Sequence, residues 1–172
     1  MWTSLWGKRM KTRKIAVLAL SIALAMILSF VESRIPAFVA IPGIKVGLTN
    51  IVVVFALYKL GWKEAGFISL IRVFLVSLLF GTGATFLYSI AGAVLSYVGM
   101  LLLKGTGRFS YVAVSVAGGV LHNIGQIGMA CLVMETNLIL SYLPFLLLSG
   151  TVAGVVVGLL AAVMIRRIDV KL

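Results

Sequence analysis

The chain has 172 residues, of which 62% are hydrophobic and 11% charged, and it carries a net charge of +11 with a mean hydropathy of +1.21. A water-soluble domain holds about 45–50% apolar and about 25% charged residues, so a soluble fold of this size is excluded and lipid must be the solvent for most of the surface. The basic excess does not indicate a nucleic-acid partner, because the Lys and Arg residues gather between apolar runs, where they orient a membrane protein.

Six apolar runs follow in chain order. A basic segment, 1–14, precedes the first, 15–31, which Glu32, Ser33, Arg34 and Pro36 end. The second, 46–60, is short and follows Pro42-Gly43. The third, 65–80, is broken by Gly81-Thr82-Gly83. The fourth, 85–103, ends at Lys104-Gly105, and the fifth, 109–134, at Glu135-Thr136-Asn137. The last apolar run, Leu138–Ile165, is too long for one straight crossing, since a span needs about 20 residues. Pro144 suits a first helical turn, so the predicted sixth span is 144–165 with a short interfacial segment before it. The expected fold is an all-α integral membrane protein with a basic cytoplasmic segment over 1–14 and one six-helix membrane domain over 15–168.

The charge pattern fixes an expected orientation. With the N-terminus inside, the inner segments hold Lys8, Arg9, Lys11, Arg13, Lys14, Lys59, Lys63, Lys104, Arg108, Arg166, Arg167 and Lys171, and the outer ones only Arg34 and Lys45. Such a bias predicts six spans with both termini in the cytoplasm.

Polar residues inside the apolar runs mark the candidate site. Arg72 sits near the middle of the third run, where a charge costs at least about 2.5–3.5 kcal/mol and must face a cavity, a partner or the bundle interior. His122, the single histidine, lies at the midpoint of the fifth run and so at a similar depth. His122 and Gln126 are four residues apart and Asn123 and Gln126 three, so all three share one broad helix face. Gly118, Gly119 and Gly125 beside them leave room. The two readings are an interhelical polar clamp and the wall of a ligand pocket. Asn50, Lys45 and Arg34 lie toward the outer side, and with Arg72 and His122 they suit a small polar or anionic ligand entering from outside.

Small residues at four-residue spacing let membrane helices approach closely. Gly150, Gly154 and Gly158 predict a packing face on the sixth helix, and Ala19 and Ala23 a face on the first that suits either bundle packing or a partner. Cys131 is alone, so no internal disulfide forms, and no Cys/His cluster has metal-site spacing. No nucleotide loop, aspartate-rich magnesium motif or nucleophile–base pair is legible, so an enzyme is not expected. Gly81-Thr82-Gly83-Ala84-Thr85 is read as a glycine-rich turn. It also resembles the short sequence at which some membrane redox subunits carry FMN, with Thr85 as acceptor, and this keeps a flavin cofactor and a link to quinone or flavin electron transfer as a second reading.

PGIKVGLTN (42–50), IRVFLVSLLFG (71–81), FLYSIAGAVLSYVGM (86–100) and GGVLHNIGQIGMA (118–130) together resemble the Gx transporter family, often labelled heptaprenyl diphosphate synthase component I. The outer loop and second-helix start also resemble the substrate-binding S components of energy-coupling-factor transporters. The resemblance covers about residues 12–168. It implies a six-helix S-component-like bundle in the bacterial cytoplasmic membrane with a pocket opening outward. It further implies docking of a transmembrane coupling subunit, energised by ATPases, on an Ala-x-x-x-Ala surface that Ala19 and Ala23 match. The label itself implies a third reading, a non-catalytic membrane partner of prenyl diphosphate synthesis.

Overall fold

The computed structural model describes the backbone of residues 2–34 and 47–169, and side chains from 12–32 and 47–169. Lys45 lies outside the described residues, as does the side chain of Arg34. The described residues form six α-helices and no strand: α1 (Trp2–Arg34), α2 (Asn50–Lys59), α3 (Trp62–Phe80), α4 (Gly83–Gly105), α5 (Tyr111–Met134) and α6 (Leu143–Arg167), with one 3-10 turn over Leu138–Tyr142.

Thr12–Glu32, Gly83–Gly105, Tyr111–Met134 and Leu138–Arg167 are long and apolar enough to cross a membrane. α3 is shorter, at 19 residues, and Lys63, Glu64 and Arg72 interrupt its apolar character. The predicted second span, 46–60, is shorter than expected. Gly47 takes a left-handed φ of 72°, and Leu48-Thr49 form a turn before Asn50, which leaves α2 ten residues. Ten residues rise about 15 Å, half of a bilayer core. α2 tolerates this because it is not a lipid-facing helix. Ile51 through Leu57 are buried without interruption, and a helix that is apolar all round belongs inside a bundle. α1, α3, α5 and α6 all contact it. α1 runs from Trp2 through the basic N-terminal segment into the first apolar run.

Local chemistry sets the helix ends. Ser110 caps α5 by accepting from the Ala113 N–H at 3.2 Å. Glu135 ends α5 in the left-handed region, with φ 50°. Pro144 occupies the first turn of α6, where its missing N–H costs nothing. Lys14 of α1 pairs with Glu64 of α3, and Lys104 of α4 donates to the Leu57 carbonyl at the end of α2. These contacts gather at the end that carries Lys59, Arg108, Arg166 and Arg167.

The bundle has two unlike halves. Toward the basic end, Ala25, Val52–Leu57, Ala65, Ile68, Met100, Val114, Ala161 and Ile165 form one dry core. The other half, where α1, α3 and α5 finish, is not filled in this way. The outer surface carries exposed apolar side chains such as Leu20, Ile27, Leu78, Leu102, Leu132 and Leu148. In water this would be an aggregation surface; around a closed set of helices it is a surface for acyl chains.

Candidate functional site

A cavity of about 200 Å³ occupies the half of the bundle that the dry core leaves open. α1 contributes Ser29 and Glu32 to its wall, the start of α2 contributes Asn50, and α3 contributes Arg72, Val73, Val76 and Ser77. Thr85 and Ser89 come from α4, Ser115, Gly119, His122, Asn123 and Gln126 from α5, and Gly150, Ala153, Gly154 and Val157 from α6. Arg72 and His122 thus face the same space from different helices.

α5 supplies a continuous polar stripe. Ser115, Gly119, His122 and Gln126 recur at four and three residues, which is one helix face, and the stripe runs about 16 Å along the axis. Opposite it, α6 presents glycine and alanine, so backbone rather than side chain closes that wall. A Cβ on Gly119 would fall 2.5 Å from the Gly150 carbonyl oxygen, and one on Gly154 2.5 Å from the Val116 Cα. Gly158 repeats the contact one turn on, with a Cβ 2.7 Å from the Val112 Cα. α4 closes on α5 by the same device at Gly92, where a Cβ would fall 2.8 Å from the His122 carbonyl and from the Gln126 Cγ. Glycine is required at these crossings because any side chain would push two backbones apart.

The polar residues divide by role. Asn123 is a clamp: its Nδ2 donates to the Leu146 carbonyl on α6 at 2.5 Å, and it lines the cavity as well. Ser29 and Thr49 share a buried hydrogen bond of 2.9 Å that ties α1 to the start of α2. Glu32 accepts from the Gly47 N–H. Arg72 is different. Its Nε is buried with no hydrogen-bond partner among the described residues, and so is the Ser115 hydroxyl. A buried donor left unmade costs about 1–3 kcal/mol; of the three such groups among the described residues, Arg72 Nε and the Ser115 hydroxyl line this cavity and the Ser96 hydroxyl does not. Glu32 is the acidic side chain that acts electrostatically on Arg72, but the two do not close into an ion pair; among the described residues that contact is made by Lys14 and Glu64.

Thr85 lies on the cavity wall with its hydroxyl engaged. It donates to the Thr82 carbonyl at 2.8 Å and accepts from the Thr82 N–H at 2.6 Å, while its own N–H donates to the Thr82 hydroxyl at 3.3 Å. This reciprocal cap at the start of α4 accounts for a threonine at this position. On α1, Ser21, Ala25 and Ser29 are the small residues that turn inward. Ala19 and Ala23 are exposed on the outer face.

Sequence reasoning missed Ser115, Ser77 and Ser89. Ser115 was legible, since it stands two helical turns before His122 on the same face. Among the described residues, no three His, Cys, Asp or Glu side chains gather as a metal site. The family model described as heptaprenyl diphosphate synthase component I matches residues 21–164. No curated protein and no solved structure matches the chain significantly.

Proposed function

The chain belongs to the heptaprenyl diphosphate synthase component I family, and on that premise we propose that it is a membrane substrate-capture protein. It binds a small polar molecule in the cavity, for uptake driven by a separate energising module. The observation that carries this reading is the pair of buried, unpartnered donors, Arg72 Nε and the Ser115 hydroxyl, on the wall of one cavity. A ligand in the cavity would complete both. Arg72 anchors the ligand, Ser115, His122, Gln126 and Asn50 supply further hydrogen bonds, and Asn123 holds the wall.

The family description points to prenyl diphosphate chemistry. Condensing prenyl diphosphates requires magnesium held by carboxylates. The chain has four acidic residues, and of these Glu32 alone lines the cavity. These features support a non-catalytic component. Ala19 and Ala23, exposed together on α1, suit close approach of a transmembrane coupling subunit.

Native mass spectrometry of the gently extracted protein tests the reading. A bound small molecule is expected in the wild type, and its loss in folded Arg72→Ala and His122→Ala proteins. Full retention in both variants would overturn the pocket assignment. The family description favours one second reading, a non-catalytic partner of a prenyl synthase. Co-purification with a soluble synthase, and not with an ATPase module, would favour that alternative.

A further inference from the structure

The two charged side chains that line the cavity among the described residues are Arg72 and Glu32. They are of opposite sign, and they come from different helices, α3 and α1. Glu32 is held independently of Arg72. Glu32 is tied to the Gly47 N–H at the start of α2. Arg72 projects from the middle of α3 with its Nε unpartnered. They interact through space without joining, and the cavity lies along both.

We infer that the captured ligand is amphoteric: it carries an acceptor or anionic group for Arg72 and a donor or cationic group for Glu32, with little or no net charge. This rests on the capture reading and narrows it. The charge of the described lining sums to zero at pH 7 with His122 neutral. A multiply charged anion such as a phosphate ester would satisfy Arg72 but leave its remaining charge beside Glu32 in a low-dielectric space. Like charges placed so repel strongly, because the medium does little to screen them. A cation would meet the same difficulty at Arg72. A molecule with both kinds of group pairs each protein charge and leaves none exposed, which is the condition for keeping charges at membrane depth. Ser115, His122 and Gln126 line the same cavity and offer it further hydrogen-bonding groups. The cavity volume sets the scale at about that of a free amino acid.

The test uses full-length protein in detergent, with thermal stabilisation as readout. Three probe sets carry the same side chains and differ in their charged groups: the protein amino acids, the matching α-hydroxy acids, which have a hydroxyl in place of the ammonium group, and the matching amines, which lack the carboxylate. Wild type is expected to be stabilised by amino acids over both other sets. Glu32→Gln should shift the preference toward the hydroxy acids, and Arg72→Gln toward the amines, each by about tenfold or more in relative affinity. Arg72→Lys, which keeps the charge, should retain the wild-type order and guards against misfolding in Arg72→Gln. Equal or better stabilisation of wild type by hydroxy acids or inorganic phosphate overturns the inference while leaving capture intact. An unchanged order in Glu32→Gln does the same. If no probe acts on any form, the amphoteric assignment fails. If native mass spectrometry then also finds no bound small molecule, the capture reading fails with it.

Discussion

Gly119 of α5 and Gly150 of α6 meet backbone to backbone: a Cβ added to Gly119 would lie 2.5 Å from the Gly150 carbonyl oxygen, and one added to Gly150 would lie 3.0 Å from the Gly119 carbonyl oxygen. Both residues also line the cavity. The crossing that holds α5 and α6 together is therefore the wall of the proposed site. Gly119→Ala is expected to destabilise the protein by about 1–3 kcal/mol, since overpacking forces backbone shifts. Gly128→Ala is the control. That position, on the same helix, has open space around it, and the change should be neutral or stabilising by about 0.5–1 kcal/mol. Unfolding in mixed detergent measures both. Equal effects at the two positions would remove the close crossing.

Arg72 and Asn123 should respond in opposite ways. Asn123 spends its amide on the Leu146 carbonyl, so Asn123→Ala should lower stability by about 0.5–1.5 kcal/mol. Arg72→Met removes a buried charge that has no partner for its Nε. The empty protein should keep or gain thermal stability, while ligand retention is lost. A fall in stability as large as that of Asn123→Ala would identify Arg72 as a structural strut instead.

The Thr82–Thr85 cap makes a graded prediction. Thr85→Ser keeps the hydroxyl that serves Thr82 and should retain stability. Thr85→Val loses it and should cost about 1 kcal/mol. An intact mass measured on the same wild-type preparation reads the flavin question directly, because a covalent flavin on Thr85 would add its mass.

At the basic end, the Lys14 contact holds the Glu64 carboxyl below its ordinary value of 4.5. A carboxylate whose folded pKa is depressed adds stability above its unfolded pKa and loses it as pH falls through the folded value. Wild type should therefore exceed Glu64→Gln in stability by a constant margin at neutral pH. The margin should shrink only below the ordinary carboxylate range. Because the pair lies near the surface, added salt should reduce it too. A margin that grew on acidification would contradict the pairing.

Much of the site was legible before any coordinates. Charge inside an apolar run has few places to go, so Arg72 and His122 announced an interior, and their equal depth suggested a shared one. Glycine spacing on α6 announced a close crossing for the same kind of reason: helical periodicity places Gly150, Gly154 and Gly158 on one face whatever they touch. The choice between clamp and pocket for the HNIGQ stretch was not legible, because both need the same polar residues on the same face. Asn123 bonds the Leu146 carbonyl of α6 and also lines the cavity, and Ser115 lines it from two turns away.

By itself, the sequence determined that the chain is helical and lipid-soluble, where its long helices run, and which polar residues have to turn inward. Those properties follow from local periodicity and from the cost of placing polar groups in hydrocarbon. Only the tertiary structure decided that α2 is the buried centre of the bundle and that Glu32 faces the cavity with Arg72. Hydropathy is blind to both, since an apolar helix scores alike beside lipid or beside other helices, and the partner of a charge depends on contacts between residues far apart in the chain.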